Sequence, residues 1–196
     1  MRVEDLTLNG DFVRLEPLKT EHVGKLFEIG QNKEIWRWTT TNIESFEDMR
    51  QYVATALAER ANGLTLPFVT VDQASGEIVG STRFGNISVQ NRSAEIGWTW
   101  IDPKWQRTYV NTDAKLLMLT HAFENWKCLR VEIITDVFNE ASRRAILRLG
   151  AKEEGVLRNH LIVETGRVRD SVVFSIIDSE WESVKEALQT KIEKYK

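Results

Sequence analysis

The segment Trp105-Gln106-Arg107-Thr108-Tyr109-Val110-Asn111-Thr112 is the first place where residue types and spacing suggest chemistry. A polar loop running into a helix N-terminus presents a row of free backbone N–H groups. Arg107 adds a full positive charge, so the loop could cradle a pyrophosphate. Many ordinary helices also start this way, and spacing alone does not separate the two readings. A second group is Asn139-Glu140-Ala141-Ser142. Asn139 can cap a helix, and the Ser142 hydroxyl can donate a hydrogen bond or serve only the first turn. Among titratable side chains, Glu95 lies in an apolar strand and His160 in a later one. Cys128 is the single cysteine and has no histidine or carboxylate motif around it, so a nucleophile is not expected there. His22, His121 and His160 have no metal-ligand spacing, and no metal site is expected.

The elements that must position these groups follow from hydrophobic period. Phe12 to Glu16 reads as a short strand closed by Pro17. A helix follows over Glu21–Ile29, and a longer one starts at Ser45 and ends at Asn62-Gly63. Leu66–Asp72, Glu77–Ile87 and Arg92–Ile101 are three strands with short connections, predicting an antiparallel meander. Then come a helix from about Thr112 to Trp126, a β-branched strand over Leu129–Val137, and a helix from Asn139 to Leu149-Gly150. Two strands flank Thr165-Gly166, and a terminal helix begins at Trp181. The order βαα-βββ-α-β-α-ββ-α predicts an α+β fold, a mixed sheet with helices on its faces.

Composition narrows the function classes. The 196 residues suit one domain, carry a formal net charge of −3 and include only one cysteine. A disulfide scaffold, a zinc finger and a basic nucleic-acid-binding surface are therefore not expected. No run approaches the ~20 apolar residues of a membrane helix, and no secretory signal is read at the N-terminus. The cytoplasm is the expected location. Seven tryptophans exceed what a core requires. Trp36, Trp38, Trp98, Trp100 and Trp105 are expected to wall a groove, with Trp98 and Trp100 able to pack beneath it instead.

The chain resembles the GCN5-related N-acetyltransferase superfamily, and within it the branch of ribosomal-protein N-terminal acetyltransferases. The residues that carry the resemblance are Gln106 to Asn111 with the following Thr-Asp-Ala-Lys, Glu95-Ile96-Gly97-Trp98, Asn139-Glu140-Ala141-Ser142, and Leu149-Gly150-Ala151 with Glu154-Gly155. It runs from about Phe12 to Asp178, which suggests one domain over 1–196, with the transferase unit at 12–178 and an added helix at 181–196. The loop departs from the family pattern at its two glycine positions, which here are Tyr109 and Asn111. Asn is common at the second. A tyrosine at the first would be strained if its φ were positive.

The resemblance implies transfer of an acetyl group from acetyl-CoA to an amine, which is a peptide N-terminus or a small molecule. It places the cofactor against Trp100, Ile101, Gln106, Arg107, Thr108, Tyr109, Val110, Asn111, Thr112, Asn139, Ser142 and Arg143. Glu95 is the first choice of base and His160 the second. Much of the superfamily carries a tyrosine seven residues after the asparagine, where this chain has Ile146. The resemblance to the ribosomal-protein branch implies Ser142 instead as the donor to the leaving sulfur, the alternative being that it serves only the first turn of its helix. Trp36 and Trp38, with Arg37 and Thr39-Thr40-Thr41, are acceptor-side candidates. Branch members often dimerise, so a homodimer stays open. A non-catalytic acyl-CoA sensor, favoured by Tyr109, and a structural protein without cofactor remain as rival readings.

Overall fold

The computed structural model describes Met1 and residues 3–196. In chain order the elements are β1 (Leu8–Asn9), β2 (Val13–Pro17), α1 (Val23–Gly30), α2 (Phe46–Ala61), β3 (Leu66–Asp72), β4 (Ile78–Ser88), β5 (Ser93–Ile101), α3 (Val110–Thr120), β6 (Arg130–Asp136), α4 (Glu140–Leu149), β7 (Lys152–Ile162), β8 (Val168–Ile177) and α5 (Trp181–Glu193). A π-helical turn at His121–Asn125 prolongs α3. The strands form one sheet in the order β1-β2-β3-β4-β5-β6-β8-β7. The expected element order holds, with β1 added at the sheet edge.

Local chemistry sets the boundaries. Ser45 and Asp48 form a reciprocal cap at the start of α2: the Ser45 hydroxyl accepts from the Asp48 N–H, and the Asp48 carboxylate accepts from the Ser45 N–H. Every residue of β3 is buried, as a central strand requires. One face of the sheet packs α1 and α2 through Leu26, Met49, Val53 and Ala56. The other packs α3, α4 and α5 through Met118, Leu149, Trp181 and Leu188.

Two irregularities matter for the site. The strands pair antiparallel except β5 and β6, which run parallel. That pair is joined only at Ser93–Arg130, Ala94–Val131 and Glu95–Glu132, although β5 continues to Ile101 and β6 to Asp136. Beyond Glu95 the two strands part. The second irregularity is a bulge in β5, where Gly97 pairs with Arg83 and Trp100 with Ser81, leaving two residues opposite Thr82. Trp98 takes a positive φ of 49° there. An extra residue resets the alternation of side chains. Before it, Ala94 and Ile96 face the α3 side. After it, Trp98 and Trp100 both face the α2 side and Thr99 turns towards α3.

Helix α3 is tied to the opposite end of the sheet by Asp113, which is 2% exposed. Its Oδ2 accepts from the backbone N–H groups of Phe12 and Val13, at 2.8 Å each. Asp113→Ala leaves those donors without their acceptor and should cost about 2–4 kcal/mol. Urea unfolding should show a lower midpoint with an unchanged slope.

Candidate functional site

The loop between β5 and α3 combines three features. Arg107 holds a left-handed φ of 63°, and Asn111 and Thr112 lie in the first turn of α3. No described residue accepts a hydrogen bond from the backbone N–H of Arg107, Thr108, Tyr109, Asn111 or Thr112. The loop is held from within, since the Thr108 hydroxyl donates to the Trp105 carbonyl (2.7 Å) and the Gln106 amide donates to the Ile101 carbonyl (3.2 Å). The exposed Arg107 adds charge to this row of donors, which suits an anion.

Tyr109 is not strained. Its φ and ψ are −65° and −25°, in the right-handed helical region, and the positive φ falls two residues earlier at Arg107. The ring leaves the loop crest: its hydroxyl donates to Asp72 (2.7 Å), and it stacks on Phe12 with 4.6 Å between centroids. Trp105 and Tyr195 meet it edge-on. Tyr109 thus pins the loop to β2, β3 and the C-terminal end of the chain.

The bulge has its own buttress. Lys115 on α3 is 4% exposed, and its Nζ donates to Thr99 Oγ1 (2.6 Å) and Thr82 Oγ1 (3.0 Å). The two hydroxyls lie 2.7 Å apart, and that of Thr82 reaches the Gly97 carbonyl at 3.5 Å. Burial pulls the ammonium down to about 7. This residue gave no signal in the sequence, because nothing local marks a helix lysine as facing the sheet.

Glu95 is the last residue of β5 paired with β6 and is 9% exposed. Its Oε2 accepts from Asn86 Nδ2 (2.6 Å), and its other oxygen lies over Gly97, where a Cβ would come within 2.8 Å. Burial pushes its carboxyl above the ordinary value, the Asn86 hydrogen bond opposes this, and the neighbouring Glu132 adds to the rise. Asn139 Oδ1 caps α4 by accepting from the Ser142 N–H (3.0 Å), so one role of Asn139 is structural. The half-buried Ser142 hydroxyl has no hydrogen bond to a described residue. Arg143 is bound to Glu153 (3.3 Å) and the Val137 carbonyl (3.4 Å), and Arg144 pairs with Glu140. His160 is exposed on β7, with Nδ1 3.0 Å from Ser171 Oγ. Ile146 is core. Burial raises the Cys128 thiol to about 11, which leaves it inert.

The tryptophans divide differently from the expectation. Trp36 and Trp100 are each 5% exposed and pack on one another, with the Trp36 indole donating to the Gly30 carbonyl and that of Trp100 to Tyr52. These side chains are core beneath the bulge because α1 and α2 close over them. Trp98 lines a groove of about 210 Å³ with residues of α2, β4 and the 41–43 segment. Trp38 lies half-buried between Phe138 and the guanidinium groups of Arg37 and Arg167. Among the described residues no group of His, Cys, Asp or Glu could hold a metal ion, and no helix is long and apolar enough to cross a membrane.

Lys115 yields a pH test. An unfolded lysine keeps its proton to about 10.4; the folded one keeps it only to about 7. Between those values the unfolded chain binds the extra proton, so stability rises with pH across this window. Lys115→Met should abolish a rise of up to about 1.4 kcal/mol per pH unit. Urea midpoints at pH 7 and pH 9 measure it, and parallel profiles for the two proteins would contradict it.

Residues 13–152 match the family described as Acetyltransferase (GNAT) domain. YdaF of Bacillus subtilis (strain 168) is 37% identical over 110 residues, which are 56% of this chain and 59% of YdaF. The ribosomal-protein-serine acetyltransferase of Escherichia coli (strain K12) is 24% identical over 172 residues, covering 86% of this chain and 94% of that protein. A crystal structure of a GCN5-related N-acetyltransferase from Brucella melitensis superposes with a TM-score of 0.88 at 30% identity, covering 95% of this chain and 85% of that one. The chain belongs to the GNAT acetyltransferase family and is an acetyl-CoA-dependent N-acetyltransferase.

Proposed function

We propose that the protein moves the acetyl group of acetyl-CoA directly onto a primary amine, a protein N-terminus or a small amine, with both substrates bound at once. The observation that carries this reading is Glu95: a buried carboxyl with a raised pKa, set where β5 and β6 part. Acetyl-CoA supplies an acetyl group activated as a thioester. The residues fit such a molecule, because the unsatisfied N–H groups of Arg107 to Thr112 and the Arg107 charge suit its pyrophosphate. The β5 backbone at Trp100 and Ile101 borders the gap where a thioester arm would lie, and Asn139 and Ser142 stand at the start of α4 just beyond the end of β6.

In this reading Glu95 takes the proton of the attacking amine, directly or through water, and its raised pKa makes it a stronger base than an ordinary carboxylate. Backbone N–H groups along the parted stretch of β5 stabilise developing negative charge on oxygen. The Ser142 hydroxyl donates to the departing sulfur. His160 is the second candidate base, but it is exposed and engaged with Ser171, which leaves Glu95 better placed. The acyl-CoA sensor reading leaned on Tyr109. With an unstrained backbone and a ring packed on Phe12, that residue gives the sensor reading no support.

Glu95→Gln and Ser142→Ala should each cut turnover by ~10²-fold or more, with coenzyme binding retained. Thiol release measures it, and wild-type turnover in both variants contradicts the assignment. Arg107→Ala should instead weaken CoA binding several-fold, read by calorimetry, and leave the fold intact.

A further inference from the structure

Lys115 breaks a rule of protein interiors. It is buried on α3, and its Nζ donates to two hydroxyls, those of Thr99 and Thr82, rather than to a carboxylate. No neighbouring carboxylate offsets the burial that lowers its pKa. A buried amine in such a place is costly, and a methionine of similar length would fill the space without that cost. Departures of this kind concentrate where a structure serves function rather than stability.

The second observation is what the two hydroxyls reach. Both approach the Gly97 carbonyl oxygen, Thr82 at 3.5 Å and Thr99 at 3.4 Å. That carbonyl and the Trp98 N–H belong to one planar trans peptide and point in opposite directions. Whatever orients the carbonyl therefore orients the donor. This peptide opens the bulge, and it lies just beyond Glu95, the last residue of β5 paired with β6. With β6 gone from its flank, the peptide is held by β4 on one side and by α3 from below. Lys115 supplies that second support, through Thr99 on the bulged strand itself and Thr82 on the strand opposite.

We infer that Lys115 is a positioning residue for acetyl transfer: through the Thr99 and Thr82 hydroxyls it sets the Gly97–Trp98 peptide, so that β5 backbone donors meet the charge developing on the thioester oxygen. This rests on the acetyl-transfer reading above and adds a residue that touches neither substrate. The test uses acetyl-CoA with hydroxylamine, a small nucleophile that is largely neutral at pH 7 and needs no fitted acceptor site. Its nitrogen bonds to the acetyl carbon, the C–S bond breaks, and its proton passes to the departing thiolate, so thiol release reads the step. Lys115→Met should lower kcat about 10²-fold while KM for acetyl-CoA and Kd for CoA stay within about twofold. Its urea midpoint at pH 7 should be no lower than that of the wild type. Thr99→Val should lower kcat roughly tenfold in the same pattern, and Thr99→Ser, which keeps the hydroxyl, should recover most of that loss. Wild-type kcat in Lys115→Met overturns the inference, as does a loss matched by weaker CoA binding or a lower urea midpoint. If Lys115→Met does not fold, the Thr99 pair decides, and equal turnover in Thr99→Val and Thr99→Ser overturns it. Thiol release by the wild type no faster than in its absence would contradict the transfer reading and this inference together, whereas retained kcat in the variants contradicts the inference alone.

Discussion

The structure depends on one local event in β5. A single extra residue at Trp98 reverses which side chains face which layer, just as β5 loses its parallel partner β6. A regular strand would have placed Trp98 and Trp100 on the α3 side and kept the ladder closed. The bulge turns both indoles into the α2 layer and Thr99 towards Lys115. It leaves the backbone of the parted stretch bordering a gap rather than a neighbouring strand. Positive φ at a tryptophan is costly, so the surroundings must enforce it. They do so from both faces: the Lys115–Thr82–Thr99 cluster on one, and the Trp36–Trp100–Tyr52 packing on the other.

Helix α3 joins this bulge to the coenzyme loop. Its first turn carries free N–H groups and the Asp113 anchor to β2, and Lys115 follows with the contact to the bulge. Tyr109, just before it, ties the same loop to Asp72. One rigid helix therefore fixes the distance between the anion-binding loop and the strand that borders the gap. A pre-set distance of this kind is what a reaction between two bound substrates needs.

The elements were legible because their signals are local. Ser45 and Asp48 announce the start of α2 three residues apart, and Asn139 and Gly150 bracket α4. The order of strands and helices followed from period alone. What could not be read were contacts that join distant segments. Lys115 meets Thr82 33 residues away, and nothing near it in sequence distinguishes it from a solvated lysine. The φ values of the loop were equally hidden, since Arg107 rather than the residue in the glycine position takes the left-handed conformation. Trp36 and Trp38 lie two residues apart, yet one is core and the other half-buried at the surface, a difference set by where α1 and α2 close. The lining of the groove beside Trp98 comes from α2, β4 and the β7–β8 turn, which no single stretch of sequence brings together.

The central claim is that the coenzyme arm occupies the gap beside the bulge, between the α3 loop and the start of α4. Backbone amide exchange with and without CoA tests it most directly. The account predicts new protection confined to residues 97–101, 107–112 and 139–142, with α2 and the β7–β8 turn unchanged. Protection centred on α2 and that turn, or none along β5 at a CoA concentration that saturates binding, would contradict it.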